Sequence, residues 1–427
     1  MLKLLRPMAV TTALLVAAGA ATKGRFWEWV PASYAKLEQA ERRILERAIP
    51  APFEMTKVAQ LGTVVVPCSD EAKRASGEAR NLVMIHGFAG GNAVWAMVRR
   101  LSIWLVGWMQ RLTFDCVNAE STEPRGARQA LQCAGGLMDA GVCGCLQYAV
   151  EWIGVGRSDR PDFNYNDFDS ANEFVLSAFE NWRDEMKLDQ FDLCAHSMGA
   201  IFASSYALDH PDNVNPNGFT NYAARHIQHL VLVSPAGVPR PPPPLKPEER
   251  QSQSWLRRMV ISFWENGMTP MSIARFVGPY GPQLVQNVLE RRISFMPAAS
   301  SMRDGTLDLG DMGEYLYNNW ALKASGERTM TTHLAPGAHA VRPLVDMLDP
   351  TAVKMPLTLI YGGESDWMDY RHGLKVVERF ARSGKHAELY RVPHSGHQVF
   401  LDNPSDFNKL LVECLSKPRS IDPTMTL

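Results

Sequence analysis

Six short, mostly apolar runs punctuate this chain: RNLVMI (80–85), LQYAV (146–150), FDLCA (191–195), HLVLVS (229–234), LTLIY (357–361) and AELYRV (387–392). Each has the length of a strand and falls short of what a buried helix needs. Helical patterns lie between several of them, as over 171–187, where Ser170-Ala171-Asn172-Glu173 reads as a capping box. Parallel neighbours require a crossover, and a helical crossover covers a face of the sheet. The alternation therefore predicts an α/β fold with a mostly parallel sheet covered by helices on both faces.

The run 191–195 leads straight into Ala195-His196-Ser197-Met198-Gly199, the outline of a nucleophile elbow. A serine on a sharp strand-to-helix turn presents its hydroxyl from crowded backbone, so the residues two before and two after it must be small. Ala195 and Gly199 meet that need, with Ala195 standing where glycine is usual. The helix that follows carries Gly199, Ala200 and Ala203 early, which permits close packing.

A serine hydroxyl is a weak nucleophile unless a histidine takes its proton and an acid orients that histidine. LTLIY ends in Gly362-Gly363-Glu364-Ser365-Asp366-Trp367, which puts Asp366 on a loop at the carboxyl end of a strand, with Glu364 and Asp369 as alternates. After the last strand come Pro393-His394-Ser395-Gly396-His397; His397 is the expected base and His394 the runner-up, because Gly396 suits a tight loop that returns the imidazole towards the serine. An acyl-transfer oxyanion needs amide donors, normally one after the nucleophile, here Met198, and one on the first glycine-rich loop, here Phe88 in HGFAG (86–90). The chemistry calls for no cofactor, whether metal or nucleotide. The order Ser, Asp, His along the chain is that of an α/β-hydrolase.

Composition excludes some classes of partner. A formal net charge of -1 with no basic block offers no electrostatic footprint for nucleic acid. Cysteines at 68, 116, 133, 143, 145, 194 and 414 lack the dense spacing of a disulfide scaffold and read as mostly free thiols; Cys143 and Cys145 form a CxC that no paired His or second Cys pair completes. At the N-terminus, Lys3 and Arg6 precede a mostly apolar stretch, 8–21, followed by Lys23 and Arg25. That stretch falls short of the roughly 20 residues that span a bilayer, yet suits a targeting or membrane-associating segment over 1–25. Two regions break the strand rhythm. The stretch 97–145 is an atypical insertion with no clear periodicity, and 238–345, opened by the proline-rich PRPPPPLKPEER, is a cap by position. The core is thus expected in two parts, 55–237 and 350–417, with a helical cap inserted after the sixth strand. Arg257, Arg258, Arg275, Arg291 and Arg292 give the cap mild basicity that could suit phosphate but is more often a solvated surface.

With these residues in view, the chain resembles the α/β-hydrolase-domain family of lyso-N-acylphosphatidylethanolamine lipase, the lipid-droplet lipase coactivator, cardiolipin deacylase and plant lysophosphatidate acyltransferase-like proteins. The resemblance rests on HGF (86–88), WIGVGRSDRP (152–161), AHSMG (195–199), MTPMSIARFVGPYGPQLV in the cap, KASGE (323–327), YGGESDW (361–367) and HQVFLD (397–402). It covers roughly 55–95 and 146–415. Members often carry Asp where this chain has Glu151 and Gly where it has Ala195. The coactivator branch lacks the nucleophile that Ser197 supplies here. The resemblance implies a serine ester hydrolase of glycerophospholipids or lysophospholipids, working at a membrane or lipid-droplet surface in the mitochondrion, the endoplasmic reticulum or on the droplet. It also implies two alternatives. One is an acyl-CoA-dependent lysophosphatidic acid acyltransferase using His397-x4-Asp402, although Asp402 beside Asn403-Pro404 could simply fix a turn. The other is a non-catalytic lipid-surface protein that binds a lipase or droplet coat.

Overall fold

The computed structural model describes residues 31–49, 51–68, 79–99, 145–208, 226–243, 254–336 and 339–416. The expected targeting segment 1–25, nearly all of the insertion 97–145 with Cys116, Cys133 and Cys143, and the stretch 244–253 lie outside these residues. Eight strands form the main sheet: β1 (Glu54–Val58), β2 (Leu61–Val66), β3 (Arg80–Ile85), β4 (Cys145–Val150), β5 (Phe191–His196), β6 (Ile227–Val233), β9 (Leu357–Gly362) and β10 (Ala387–Val392). A separate hairpin of two residues a side, β7 (Leu334–Ala335) with β8 (His339–Ala340), lies between β6 and β9 in the chain. Spatial order in the main sheet is β1-β2-β4-β3-β5-β6-β9-β10. Pairing is antiparallel at β1–β2 and β2–β4 and parallel from β4 onward.

All six strands expected from the apolar runs are present, in an α/β sheet of the expected kind. The hairpin β1–β2 was not expected. It turns on Ala59 and Gln60, both at positive φ (42° and 74°), a conformation that Asn-Gly normally announces in sequence. The capping-box reading needs correction. The helix begins a turn earlier, at Phe168–Glu185, and its N-cap is Asp167, whose carboxylate accepts from the Ser170 amide at 2.9 Å. Asp167 is itself a favoured cap with a free β conformation, so Ser170 becomes a first-turn residue.

Strand side chains alternate between two apolar layers. Val83, Ile85, Tyr148, Leu193 and Leu232 face one layer, closed by the helices Phe168–Glu185 and Gly199–Ala207 and by Phe380 of Tyr370–Arg382. Leu82, Met84, Ala149, Cys194, Val231 and Ile360 face the other, closed by helices Tyr34–Ala48 and Pro404–Ser416. Cys68, Cys145, Cys194 and Cys414 are buried thiols. The parallel register puts Ile85 beside Ala195, Ala195 beside Leu232, and Val233 beside Ile360. The loops leaving β3, β5, β6, β9 and β10 therefore emerge along one edge of the sheet. After β6 come the helices Trp255–Glu265, Pro270–Phe276, Gly281–Ile293, Leu309–Ala321 and Thr329–His333. Among the described residues no helix is long and apolar enough to cross a membrane.

Candidate active site

Ser197 follows β5 with φ of 54°, the left-handed region that costs a side-chain-bearing residue about 1–2 kcal/mol. The turn is held from both sides: the Ser197 amide donates to the Val233 carbonyl at 3.0 Å, and the Ser197 carbonyl accepts from the Ala200 and Ala236 amides. Small flanking residues are required for the reason the motif suggests. A Cβ on Gly199 would stand 2.5 Å from the His86 carbonyl oxygen, so any other residue would push the following helix away from β3.

The Ser197 hydroxyl lies 2.9 Å from His397 Nε2, and His397 Nδ1 lies 3.3 Å from Asp366 Oδ1. The runner-up residues stand elsewhere. His394 and Glu364 are exposed, while Asp369 caps the helix Tyr370–Arg382 and pairs with Arg371. Burial opposes ionisation of Asp366, yet His397, the Ser234 hydroxyl and the Met368 amide all donate to it and hold its carboxyl at about 2. An ionised acceptor there assigns the Nδ1 proton to His397 and leaves Nε2 as the acceptor for the serine O–H. Burial also lowers His397 below its ordinary 6.5, outweighing the pull of Asp366, and Arg292 adds in the same direction. His397 is therefore a neutral imidazole at neutral pH. Its backbone is pinned as well: the buried, neutral His196 donates from Nε2 to the His397 carbonyl at 2.9 Å.

The loop after β3 runs against Ser197, since a Cβ on Gly87 would lie 2.8 Å from the Ser197 Cβ and from His196 Nδ1. Among the described residues, neither the Phe88 nor the Met198 amide is taken by a protein acceptor. His86 stacks on Trp152 at 4.3 Å, and burial keeps it neutral, with a pKa of about 4.

Several residues that sequence reasoning missed hold this loop from the cap. Trp320 Nε1 donates to the Ala89 carbonyl at 2.8 Å, and Asn319 Nδ2 donates to the Gly90 carbonyl at 2.6 Å. Asn319 also accepts from the Gly156 amide at 2.8 Å, tying the loop to the WIGVGRS segment. Beneath them Glu151 accepts from the Asn92 amide, the Arg157 amide and the Tyr315 hydroxyl. Burial and the neighbouring Glu41 push the Glu151 carboxyl up to about 7. Ser234, which donates to Asp366 at 2.7 Å, was visible only as the polar end of an apolar strand run.

Asp402 closes the short helix Val399–Asp402 and is buried. One carboxylate oxygen accepts from the Gly396 amide at 2.9 Å, directly before His397, and the other has no hydrogen-bond partner among the described residues. It thus braces the histidine loop. Of the cap arginines, Arg275 is committed to Glu327, whereas Arg292 stacks over Trp367. Among the described residues no group of three or more His, Cys, Asp and Glu could hold a metal.

Comparison with known proteins supplies the family. A family model described as the alpha/beta hydrolase fold matches residues 134–404. A probable 1-acylglycerol-3-phosphate O-acyltransferase of Oryza sativa subsp. japonica is 32% identical over 277 residues, 63% of this chain and 60% of that protein. The chain thus spans less than two thirds of the length of that plant relative. The (lyso)-N-acylphosphatidylethanolamine lipase of Homo sapiens is 27% identical over 333 residues, 78% of each chain. The crystal structure of a carboxylesterase from Bacillus subtilis superposes with a TM-score of 0.51 at 16% identity, covering 90% of this chain and 98% of that one.

Proposed function

Given that this chain belongs to the α/β-hydrolase fold family, we propose that it is a serine acyl hydrolase of glycerophospholipids or lysophospholipids. The observation that carries the reading is the continuous line from Ser197 through His397 to an ionised Asp366. In this reading Ser197 Oγ attacks the ester carbonyl while its proton passes to His397 Nε2. The carbonyl oxygen becomes an oxyanion held by the Phe88 and Met198 amides. Collapse breaks the bond to the alcohol, which leaves with the proton from His397, and water then releases the acyl group by the reverse sequence. Asp366 orients the imidazole and stabilises its cation.

A lipid substrate is supported by the activities for which the relatives are named and by the cap, 238–345, which exposes Trp255, Phe276 and Phe295 at 71%, 81% and 65%. Exposed aromatics of that size suit an interface with lipid, whether membrane or droplet. A fluorophosphonate probe is expected to label the wild type and not Ser197→Ala. Labelling that survives the substitution would sink the assignment.

The plant relatives favour a second reading, transfer of an acyl group from acyl-CoA to lysophosphatidic acid. The same acyl-enzyme serves if a lysolipid hydroxyl replaces water, and Asp402 would then act through the His397 loop. Transfer that persists in Ser197→Ala and vanishes in Asp402→Ala would displace the hydrolase reading. Absence of turnover across a broad lipid panel, together with recruitment to membranes, would favour the non-catalytic lipid-surface protein.

A further inference from the structure

Among the described residues Arg292 is a guanidinium without an ion pair, placed beside the reacting groups. It lies in the last turn of helix Gly281–Ile293, with Cζ 5.6 Å from the centre of the Trp367 ring. Trp367 in turn stacks on His397, ring centres 4.3 Å apart and planes 26° from parallel. Arg157, Arg183 and Arg275 are each matched to a carboxylate. The carboxylate that acts on Arg292 is Asp402, and the two form no salt bridge among the described residues. Asp402 has already given one oxygen to the Gly396 amide. Arg292 is half-buried, and the planar fork of a guanidinium matches the oxygens of a phosphate better than any other side chain does.

The chemistry says which part of a substrate reaches it. His397 Nε2 must hand its proton to the oxygen of the departing alcohol, so that alcohol lies against the imidazole. The carbonyl oxygen turns the other way, to the Phe88 and Met198 amides. Arg292 lies against Trp367, the residue that stacks on the imidazole, and Trp367 is 46% exposed, which leaves that side open to an incoming group. We propose that Arg292 binds a phosphate carried by the alcohol part of the substrate, so that the site selects acyl esters of glycerol phosphate over the corresponding neutral glycerides. The inference rests on the acyl-hydrolase reading and adds the residue that sets head-group preference. A lysolipid acceptor would enter by the route the alcohol leaves, so the same residue would serve acyl transfer.

The test has two arms, both on the full chain. In the first, kcat/KM is measured in mixed micelles for 1-oleoylglycerol 3-phosphate and for 1-oleoylglycerol, in wild type, Arg292→Lys and Arg292→Gln. The ratio of the two is expected to fall roughly 10- to 100-fold in Arg292→Gln, the worth of a charge-assisted bond, with a smaller fall in Arg292→Lys. A ratio within twofold of wild type overturns the proposal. In the second arm the rate of fluorophosphonate labelling at Ser197 is followed with added sn-glycerol 3-phosphate, inorganic phosphate or glycerol. Slowing by glycerol 3-phosphate in wild type, reduced at least tenfold in potency by Arg292→Gln, supports it. Equal slowing by inorganic phosphate removes the head group as the ligand and overturns it, as does equal slowing in both proteins. Labelling that ignores Ser197→Ala would instead defeat the hydrolase reading, which keeps the two failures distinct.

Discussion

Gly87 precedes the Phe88 amide, and its missing side chain is what lets the β3 loop approach the nucleophile. In Gly87→Ala the new Cβ would begin 2.8 Å from both the Ser197 Cβ and His196 Nδ1. Carbon contacts settle at about 3.5 Å or more, so the loop and the elbow must part by roughly 0.7 Å. Neither side gives easily. The elbow is tied to β6 through Val233, and the loop is tied to the cap through Trp320 and Asn319. Overpacking of this kind costs about 1–3 kcal/mol of stability. On the proposed acyl-hydrolase reading the larger effect falls on catalysis, because an oxyanion donor acts only within about 2.7–3.1 Å of the developing charge, and losing one costs roughly 10²–10³ in kcat. Turnover of a short p-nitrophenyl ester should therefore fall about 100-fold in Gly87→Ala, with KM little changed and thermal unfolding lowered by only a few degrees. Gly90→Ala, whose Cβ would meet the Gly87 carbonyl at a milder 3.2 Å, should lose far less. A folded Gly87→Ala protein with kcat within threefold of wild type would refute the role given to this loop.

Trp320→Phe keeps an aromatic ring but removes the donor to the part-buried Ala89 carbonyl; losing that hydrogen bond costs about 0.5–1.5 kcal/mol, and kcat should drop up to roughly tenfold while Ser197 still labels. The acid limb of kcat/KM should fall below pH 6.5, because burial and Arg292 both disfavour the charged form of His397, and in Arg292→Gln that limb should move to higher pH. Glu151 has its folded pKa raised to about 7, above its unfolded value, so the stabilisation it contributes is complete below about pH 4.5 and is lost as pH rises through 7. Urea unfolding at pH 5 and pH 8 should show a smaller difference for Glu151→Gln than for wild type; an unchanged difference would place the titration elsewhere.

The division between what could be read and what could not follows the range of the interactions. Strand runs, the small residues around Ser197, and the loops carrying Asp366 and His397 are local matters of side-chain size, strand length and backbone conformation, and they were legible in the sequence. The β1–β2 hairpin is local too, yet Ala59-Gln60 adopts a conformation that its residues do not advertise, so it was not. The expected capping box failed because two adjacent stretches could each begin a helix, and Asp167 caps the longer one. Asp402, legible only as one end of a motif, proves to brace the loop before His397.

Sequence alone determined that this chain carries a serine on a strand-to-helix turn, followed in order by an acid and a histidine at strand ends, because each of those depends on a handful of consecutive residues. Tertiary structure decided which groups serve them. Trp320 reaches Ala89 across 231 residues, Ser234 reaches Asp366 across 132, and the cap brings Arg292 against the Trp367 ring that stacks on His397. The physical reason is that such contacts depend on strand order and on how the cap packs over the sheet edge, which no short run of residues encodes.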